Sequence, residues 1–204
     1  CVGKFLYDHG MVDINEKDEI TIETLSGIKK LKAYTSGGKV NRLRVDMGKA
    51  ILDPKEIPVV LDGDKVVDRP VEIAGKNYNI TCVSMGNPHC VVFMDDIDNL
   101  DIETVGPEFE NDKLFPERVN TEFVTVLDDH TIKMRVWERG SGETWACGTG
   151  ACAVAVAACE NGFCKKGEDI KIKLKGGDLI INYTDETVYM TGNEEKVFEG
   201  EVEV

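Results

Sequence analysis

Most of the chain alternates apolar and polar residues, a pattern typical of β-strands. The first alternating runs are EITIETL, KKLKAYT and NRLRVDM, and the dipeptides Ser26-Gly27 and Gly37-Gly38 separate them. Turn dipeptides between alternating runs predict β-hairpins. Later runs predict further strands at NYNITCVS, CVVFM, TEFVTVL, TIKMRVW, DIKIKLK, DLIINYT, TVYMTG and KVFEGEVEV.

Three segments predict helices: CVGKFLYDHG, IDNLDIETVGPEFE and the stretch that follows Cys147. The third, GTGACAVAVAACE, has almost no polar side chain before Asn161-Gly162, a typical C-terminal stop. A helix that is apolar on all sides is buried on all sides. We therefore expect an α/β (α+β) fold in which hairpins wrap around this helix.

The chain contains a faint internal repeat. The segments 17–34 and 167–183 share an acidic start, an alternating strand, a glycine turn and a returning strand that ends in Tyr, and each follows an apolar helix. Cys147 lies 22 residues before Asp169, and the same count back from Glu19 falls ahead of residue 1. The repeat predicts that the first half's counterpart of Cys147 is not in this chain.

Composition excludes several classes of function. The net charge is −14, and the acidic residues are distributed along the whole chain of 204 residues. This charge disfavours nucleic acid and anionic lipid as partners. No apolar run is long enough to cross a membrane. The seven cysteines contain no C-x-x-C pair, which argues against zinc and iron–sulfur sites. We expect reduced thiols, a cytoplasmic location, and neither a zinc nor an iron–sulfur site.

The loop around Cys147 is the first candidate site. Gly148, Thr149 and Gly150 open the apolar helix, so backbone N–H groups at its start would face a cleft and attract an anion such as a carboxylate. The same field would lower the pKa of the Cys147 thiol and make thiolate accessible. The alternative is a packed thiol beside glycines that let helix and sheet approach closely.

Three further polar residues are candidates. Glu138 falls on the parity of the apolar face of TIKMRVW, so it is either paired with Arg139 or has a raised pKa suited to proton transfer, unless it is a surface ion pair. His89 follows the rigid Asn87-Pro88 turn, where it could orient a thiol proton or serve a structural role. Asn120, taken alone, reads as a turn residue before a strand.

Together GNPHCVVF, RVNTEF and ERGSGETWACGTGACA, in this order and spacing, resemble the diaminopimelate epimerase family, and the resemblance extends from CVGKFLYD to TGNEEKVFEGEV. It implies two similar domains, each with mostly antiparallel strands curled around a central helix whose C-G-x-G start donates a catalytic cysteine. By this resemblance, 1–72 with 193–204 is the remainder of an incomplete first domain, and 73–192 is the second. Cys1 would close a CGNG-type motif whose catalytic thiol precedes it.

The resemblance also implies the chemistry, that of an isomerase that interconverts LL- and meso-diaminopimelate for lysine and peptidoglycan synthesis. Two thiols exchange the α-proton on opposite faces of the carbon, without pyridoxal phosphate or metal. Cys147 would be one thiol, while Glu138 and His89 tune protonation. The residues implied to bind substrate are Asn87, Asn120, Glu138, Arg139, Gly148 and Thr149, with the Arg139 fork on the distal carboxylate.

Two alternatives remain open. Proline racemase-like and phenazine-biosynthesis-like enzymes share this architecture, although ERGSGETWACGTG together with GNPH argues against both. The chain could instead be a non-catalytic binding or assembly piece, because the strands from EITIETL to NRLRVDM would lack some neighbours. Unpaired strand edges favour association, and we expect a homodimer or larger assembly.

Overall fold

The computed structural model describes residues 1–14, 17–24 and 27–202. The protein is α+β, and its chain divides into two compact units, Cys1–Asp46 with Thr191–Val204, and Met47–Met190. The sequence-based boundary lies at residue 72, whereas the units change at residue 46. The segment between these positions belongs to the second unit because its apolar residues pack in that unit's core, among them Ile57, Val59 and Val66.

The first unit consists of a helix and an antiparallel meander, α1 (Val2–Asp8), β1 (Glu19–Thr24), β2 (Gly27–Ser36) and β3 (Lys39–Asp46). Gly37 and Gly38 have φ angles of 61° and 76°, which glycine adopts readily, so the predicted Gly37-Gly38 hairpin is confirmed. The other predicted turn includes Ser26, which lies outside the described residues. The small core of this unit consists of Ile20, Leu31, Ala33, Val40 and Leu43.

The second unit contains most of the secondary structure: β4 (Arg69–Ile73), β5 (Lys76–Ser84), β6 (Pro88–Phe93), α2 (Ile102–Glu110), β7 (Asn120–Asp128), β8 (Thr131–Glu138), β9 (Gly142–Thr144), α3 (Gly148–Glu160), β10 (Asp169–Leu174) and β11 (Gly177–Tyr183). β12 (Val188–Asn193) begins in this unit and ends in the first. The strand order is β12-β11-β10-β8-β7-β6-β5-β4, and β9 pairs with β8. β6–β7 and β8–β10 are parallel, whereas the hairpins are antiparallel.

Helix α3 lies at the centre of the second unit. It packs against β5, β6, β7, β10 and β11, and every residue from Gly150 to Ala158 is buried. The C-terminal stop is confirmed, since Asn161 caps the helix and Gly162 has a φ of 78°. The prediction that strands surround this helix is therefore correct.

A second core covers the opposite side of β5, β6 and β7. Along β7, Val124 packs in the core around α3, whereas Phe123 packs with Phe109 of α2. α2 approaches very closely, because a β-carbon on Gly106 would lie 2.3 Å from Cδ2 of Trp137. Successive residues of a strand point to opposite faces, so the parity of a residue decides which core it enters.

Some strands differ from the sequence-based expectation. The strand predicted over KVFEGEVEV is absent from residues 196–202, where Val197, Phe198 and Val202 are between 81% and 89% exposed. Alternation alone does not form a strand without a neighbour to take its backbone hydrogen bonds. Glu203 and Val204 lie outside the described residues. β4 and β9 were not predicted. In the described part of the chain, no helix is both long and apolar enough to span a bilayer.

Candidate active site

Cys147 is the N-cap residue of α3. Its backbone is extended, and its Sγ accepts a hydrogen bond from the Gly150 N–H at 3.4 Å. The Thr149 hydroxyl lies 3.6 Å from the same sulfur, and the residue is 6% exposed. The N–H groups of Gly148 and Thr149 belong to the first helical turn, where no intrahelical carbonyl can accept them. The sulfur therefore lies beside donors suited to an anion.

Burial raises the pKa of the Cys147 thiol to about 12, and the nearby negative charge of Glu122 adds to this shift. Hydrogen bonds from Thr149 and Gly150 act in the opposite direction. The sequence predicted a lowered pKa at the helix start, and this expectation is wrong for the protein without substrate. Desolvation of the thiolate outweighs the stabilisation that the first turn provides.

A chain of hydrogen bonds connects the thiol with the interior. His89 Nε2 lies 3.1 Å from Asn87 Oδ1, Asn87 Nδ2 donates to Thr149 Oγ1 at 3.3 Å, and Thr149 contacts the Cys147 sulfur. At the other end, His89 Nδ1 lies 2.7 Å from Glu122 Oε1. We call these five residues, from Glu122 to Cys147, the Cys147 network. The structure thus brings three predicted site residues, Asn87, His89 and Thr149, to the predicted thiol.

Glu122 was missed by the sequence analysis. Its side chain and that of His89 are both fully buried, and Glu122 Oε2 has no hydrogen-bond partner among the described residues. Burial raises the pKa of the Glu122 carboxyl, and the adjacent His89 opposes this shift. A signal for this residue does exist. Glu122 is the second residue after Asn120 in RVNTEF, so the two share one face of β7.

Gly150 has no side chain, and this allows Glu122 and Cys147, the two ends of the network, to lie on either side of it. A β-carbon at this position would lie 2.6 Å from Glu122 Oε1, 3.2 Å from Cys147 Sγ and 3.2 Å from Cε of Met134. Real β-carbons essentially never come within 3.0 Å of another heavy atom. Gly150 is therefore required for close approach, as one of the two sequence-based interpretations of these glycines proposed.

Glu138 lies at the end of β8, on the side of the apolar face, but only partly buried. Its Oε1 accepts a hydrogen bond from the Thr144 hydroxyl at 2.5 Å. Arg139 instead donates through Nη1 to the Glu117 carbonyl at 2.9 Å. Among the described residues no ion pair joins Glu138 to Arg139, so this one of the alternatives considered for Glu138 is wrong.

Two buried side chains hold the turn after β8. Asn120, 4% exposed, accepts from the Arg139 N–H at 3.0 Å and donates to the Pro88 carbonyl at 3.0 Å. Glu110 accepts from the Gly140 N–H at 2.9 Å and from Trp137 Nε1 at 2.7 Å. Both polar atoms of Asn120 thus bind protein backbone, which corrects its interpretation as a simple turn residue. Its contact with substrate stays a prediction.

The described residues offer no group of three or more His, Cys, Asp or Glu side chains that could hold a metal ion. A cavity of about 930 Å³ lies in the first unit, where Lys4, Asp8, Lys39, Arg42 and Glu194 supply charged walls. None of the candidate site residues lines it. The predicted site residues therefore lie at the Cys147 network and the turn after β8, not at this cavity.

Comparison with known proteins agrees with these features. A family model described as diaminopimelate epimerase matches residues 81–197. Diaminopimelate epimerase of Agathobacter rectalis is 49% identical over 213 residues, covering 100% of this chain and 73% of that protein. The protein of the same name from Acetivibrio thermocellus is 51% identical, covering 100% of this chain and 72% of that protein. The chain belongs to the diaminopimelate epimerase family.

Solved structures support the fold of this family member. A probable proline racemase from Agrobacterium radiobacter superimposes with a TM-score of 0.72 at 16% identity, covering 95% of this chain and 63% of that chain. A hydroxyproline epimerase from Agrobacterium vitis gives 0.70 at 15% identity, covering 95% and 61%. A PhzF-family phenazine biosynthesis protein from Bacillus anthracis gives 0.57 at 16%, covering 93% and 69%. At such low identity these likenesses concern the fold alone.

We expect Gly150→Ala to lower the free energy of unfolding by about 1–3 kcal/mol, because the added methyl overpacks the space between Glu122 and Cys147. Gly148→Ala is the matched control in the same helical turn. Its β-carbon would meet only the flexible end of Met190, at 3.1 Å, and the change should stay within about 1 kcal/mol. Urea unfolding followed by circular dichroism measures both. Equal effects of the two substitutions would contradict the close approach at Gly150.

We expect Cys147 to be a thiol in the protein without substrate. With a pKa of about 12, only about one molecule in ten thousand carries the thiolate at pH 8. Its alkylation by iodoacetamide, followed by peptide mass spectrometry, should accelerate about tenfold per pH unit between pH 8 and 10. In urea, the rate at the same cysteine should begin to level off near pH 8.5–9. A folded-state rate that levels off at the same pH as in urea would show that the thiol is not perturbed.

Proposed function

We propose that the protein is an epimerase that interconverts LL- and meso-diaminopimelate without pyridoxal phosphate or metal, in the biosynthesis of lysine and peptidoglycan precursors. The single observation that carries the proposal is the Cys147 thiol, which caps α3 beside first-turn N–H groups and ends a partly buried chain of hydrogen bonds. Membership of the diaminopimelate epimerase family supports the choice of substrate.

The first turn of α3 would bind the α-carboxylate of the substrate. The N–H groups of Gly148 and Thr149, together with the helix dipole, attract a carboxylate. When the α-proton leaves, negative charge spreads from the α-carbon onto this carboxylate. Fixed donors in a water-poor site stabilise that charge better than water does, because they need no reorganisation during the reaction. The helix start thus supports both binding and proton removal.

The proton balance requires one acid and one base. A thiolate on one face of the α-carbon takes its proton as the C–H bond breaks, and a thiol on the other face gives its proton to the carbanion. Cys147 holds its proton in the protein without substrate, so it acts as the donor first and as the base in the reverse direction. The second unit offers no obvious second thiol. Its other cysteines are buried in the cores, at Cys82, Cys90, Cys152 and Cys164, or lie at the far end of α3, at Cys159.

The turn after β8 would bind the distal part of the substrate. One guanidinium N–H of Arg139 donates to the Glu117 carbonyl. The remaining N–H groups are donors for a bidentate contact with the distal carboxylate. Asn120 and Glu110 fix the backbone on which Arg139 is carried. Glu138, hydrogen-bonded to Thr144, and His89 would tune thiol protonation, and Asn87 would contact the substrate from the Thr149 side.

The proposed location is the cytoplasm, because all seven cysteines are free and a two-thiol reaction needs a reducing environment. We also propose a homodimer. The first unit exposes apolar side chains that association would cover, Val2, Phe5, Met11 and Ile28, each between 51% and 68% exposed. Sedimentation velocity at micromolar concentration should give about twice the chain mass of 22.6 kDa, and a monomer at all concentrations would contradict this.

The function is tested with LL-diaminopimelate in heavy water, by following the α-positions with NMR. We expect deuterium incorporation, with meso product where a second thiol faces Cys147 across the substrate. Cys147→Ser should lower both by at least about 100-fold, because a hydroxyl cannot exchange protons as a thiol does. Cys159→Ser, at the other end of the same helix, is the control and should leave both rates unchanged.

The outcomes separate the alternatives. Full turnover by Cys147→Ser would refute the thiol mechanism. Turnover of proline but not of diaminopimelate would favour the proline racemase-like alternative. Exchange without inversion would mean that Cys147 works on one face with no acid opposite. Absence of exchange in the unmodified chain would favour the non-catalytic alternative.

A further inference from the structure

Glu122, the buried partner of His89, has no role in the chemistry described above. Glu122 Oε1 and His89 Nδ1 are 2.7 Å apart, and both side chains are fully buried. This distance lies at the short end of charge-assisted hydrogen bonds between nitrogen and oxygen. Replacing such a pair by apolar residues often preserves or increases stability, so a contribution to folding alone is a weak explanation for its presence.

Both ring nitrogens of His89 face oxygen atoms that can accept hydrogen bonds. Nδ1 meets Glu122 Oε1, and Nε2 meets Asn87 Oδ1 at 3.1 Å. The Asn87 amide has its Nδ2 directed at Thr149 Oγ1, so its oxygen is left for the imidazole. A neutral imidazole carries one N–H and could donate to only one of these oxygens, so the other contact would need a protonated Glu122 that donates to the ring. A doubly protonated ring satisfies both contacts, and the carboxylate compensates its charge.

This arrangement gives the hydrogen bonds between His89 and Cys147 a single direction. Nε2–H donates to Asn87 Oδ1, and Asn87 Nδ2–H donates to Thr149 Oγ1. The Thr149 oxygen accepts the hydrogen bond from Asn87, which leaves the Thr149 hydroxyl proton available for the Cys147 sulfur, 3.6 Å away. The Gly150 N–H is a second donor to the same sulfur. Hydrogen bonds that all point one way reinforce each other.

We propose that Glu122 is a positioning residue: its carboxylate keeps His89 doubly protonated, so that the network directs the Thr149 hydroxyl at the Cys147 sulfur. The sulfur needs this donor when it becomes a thiolate, after its proton has passed to the substrate. Glu122 itself touches neither thiol nor substrate through a hydrogen bond. The kinetic consequence rests on the proposed epimerase function, whereas the protonation of His89 does not.

The protonation of His89 can be measured in the unmodified protein by ¹⁵N NMR of histidine-labelled chain at pH 8, where an ordinary exposed histidine is mostly neutral. The chain has three histidines, and the variants His9→Gln and His130→Gln, at exposed positions, identify the other two sets of signals in a chain that keeps His89. We expect protonated shifts for both of its ring nitrogens. One unprotonated ring nitrogen in the unmodified protein would overturn the proposal, and this measurement needs no substitution within the buried pair.

The matched variants are Glu122→Gln and Glu160→Gln. Glutamine keeps the shape and a hydrogen bond at position 122 but removes the charge, so His89 should become neutral. Glu160 is an equally paired carboxylate at the far end of α3, bound by Lys65 and Lys166, and its replacement should leave the His89 spectrum unchanged. An unaltered His89 spectrum in Glu122→Gln would overturn the proposal.

Kinetics test the positioning role. Carboxylates that hold a catalytic histidine directly are worth up to about 10⁴ in kcat. Because His89 acts here through two further side chains, we expect Glu122→Gln to lower kcat about 10- to 100-fold with KM changed less than about threefold. An unchanged kcat would overturn the positioning role. If the unmodified protein turns over no diaminopimelate, the proposed function fails, while the NMR measurement still decides the protonation of His89.

Discussion

The structure of the second unit depends on the burial of one helix that is apolar on every side. Because α3 has no polar face, strands must cover it all round, and β5, β6, β7, β10 and β11 do so. The N-terminus of the helix therefore lies among strand ends and not in open solvent. Donors that the helix cannot satisfy itself are thereby gathered in the same place as the strand residues around them. The site is a consequence of how the core is closed.

Placing charge in such a core is costly unless each charge meets a partner. Glu122 meets His89 inside the protein, and Glu110 meets Trp137, Gly140 and Arg118 at the edge of the second core. The two glutamates perform different tasks, since one faces the thiol and the other holds a turn. Glycine is what lets these arrangements close, at Gly150 beside the first carboxylate and at Gly106 against the indole of Trp137.

The predictable part of this protein is the part encoded locally. The period of the apolar positions identifies α3, its glycine-rich start and its stop, and therefore Cys147. The local signal for Glu122 is weak: it shares a face of β7 with Asn120, but a single carboxylate on a strand indicates a site only when the partner strand that carries His89 is known. The predicted direction of the Cys147 pKa shift was wrong for the same reason, since segments distant in the sequence determine how deeply the thiol is buried. The prediction of a strand over KVFEGEVEV was wrong because alternation of apolar and polar residues does not by itself provide a neighbouring strand.

The parallel register of β6 and β7 places His89 opposite Asn120. Residues two apart share a face, so His89 and Glu122 face α3, while Phe123 faces α2. A slip of one residue would exchange these faces and put an imidazole among phenylalanines. Such a slip would also separate His89 from Glu122 and leave both polar groups buried without each other. The register that fills the two cores is thus the same register that assembles the Cys147 network.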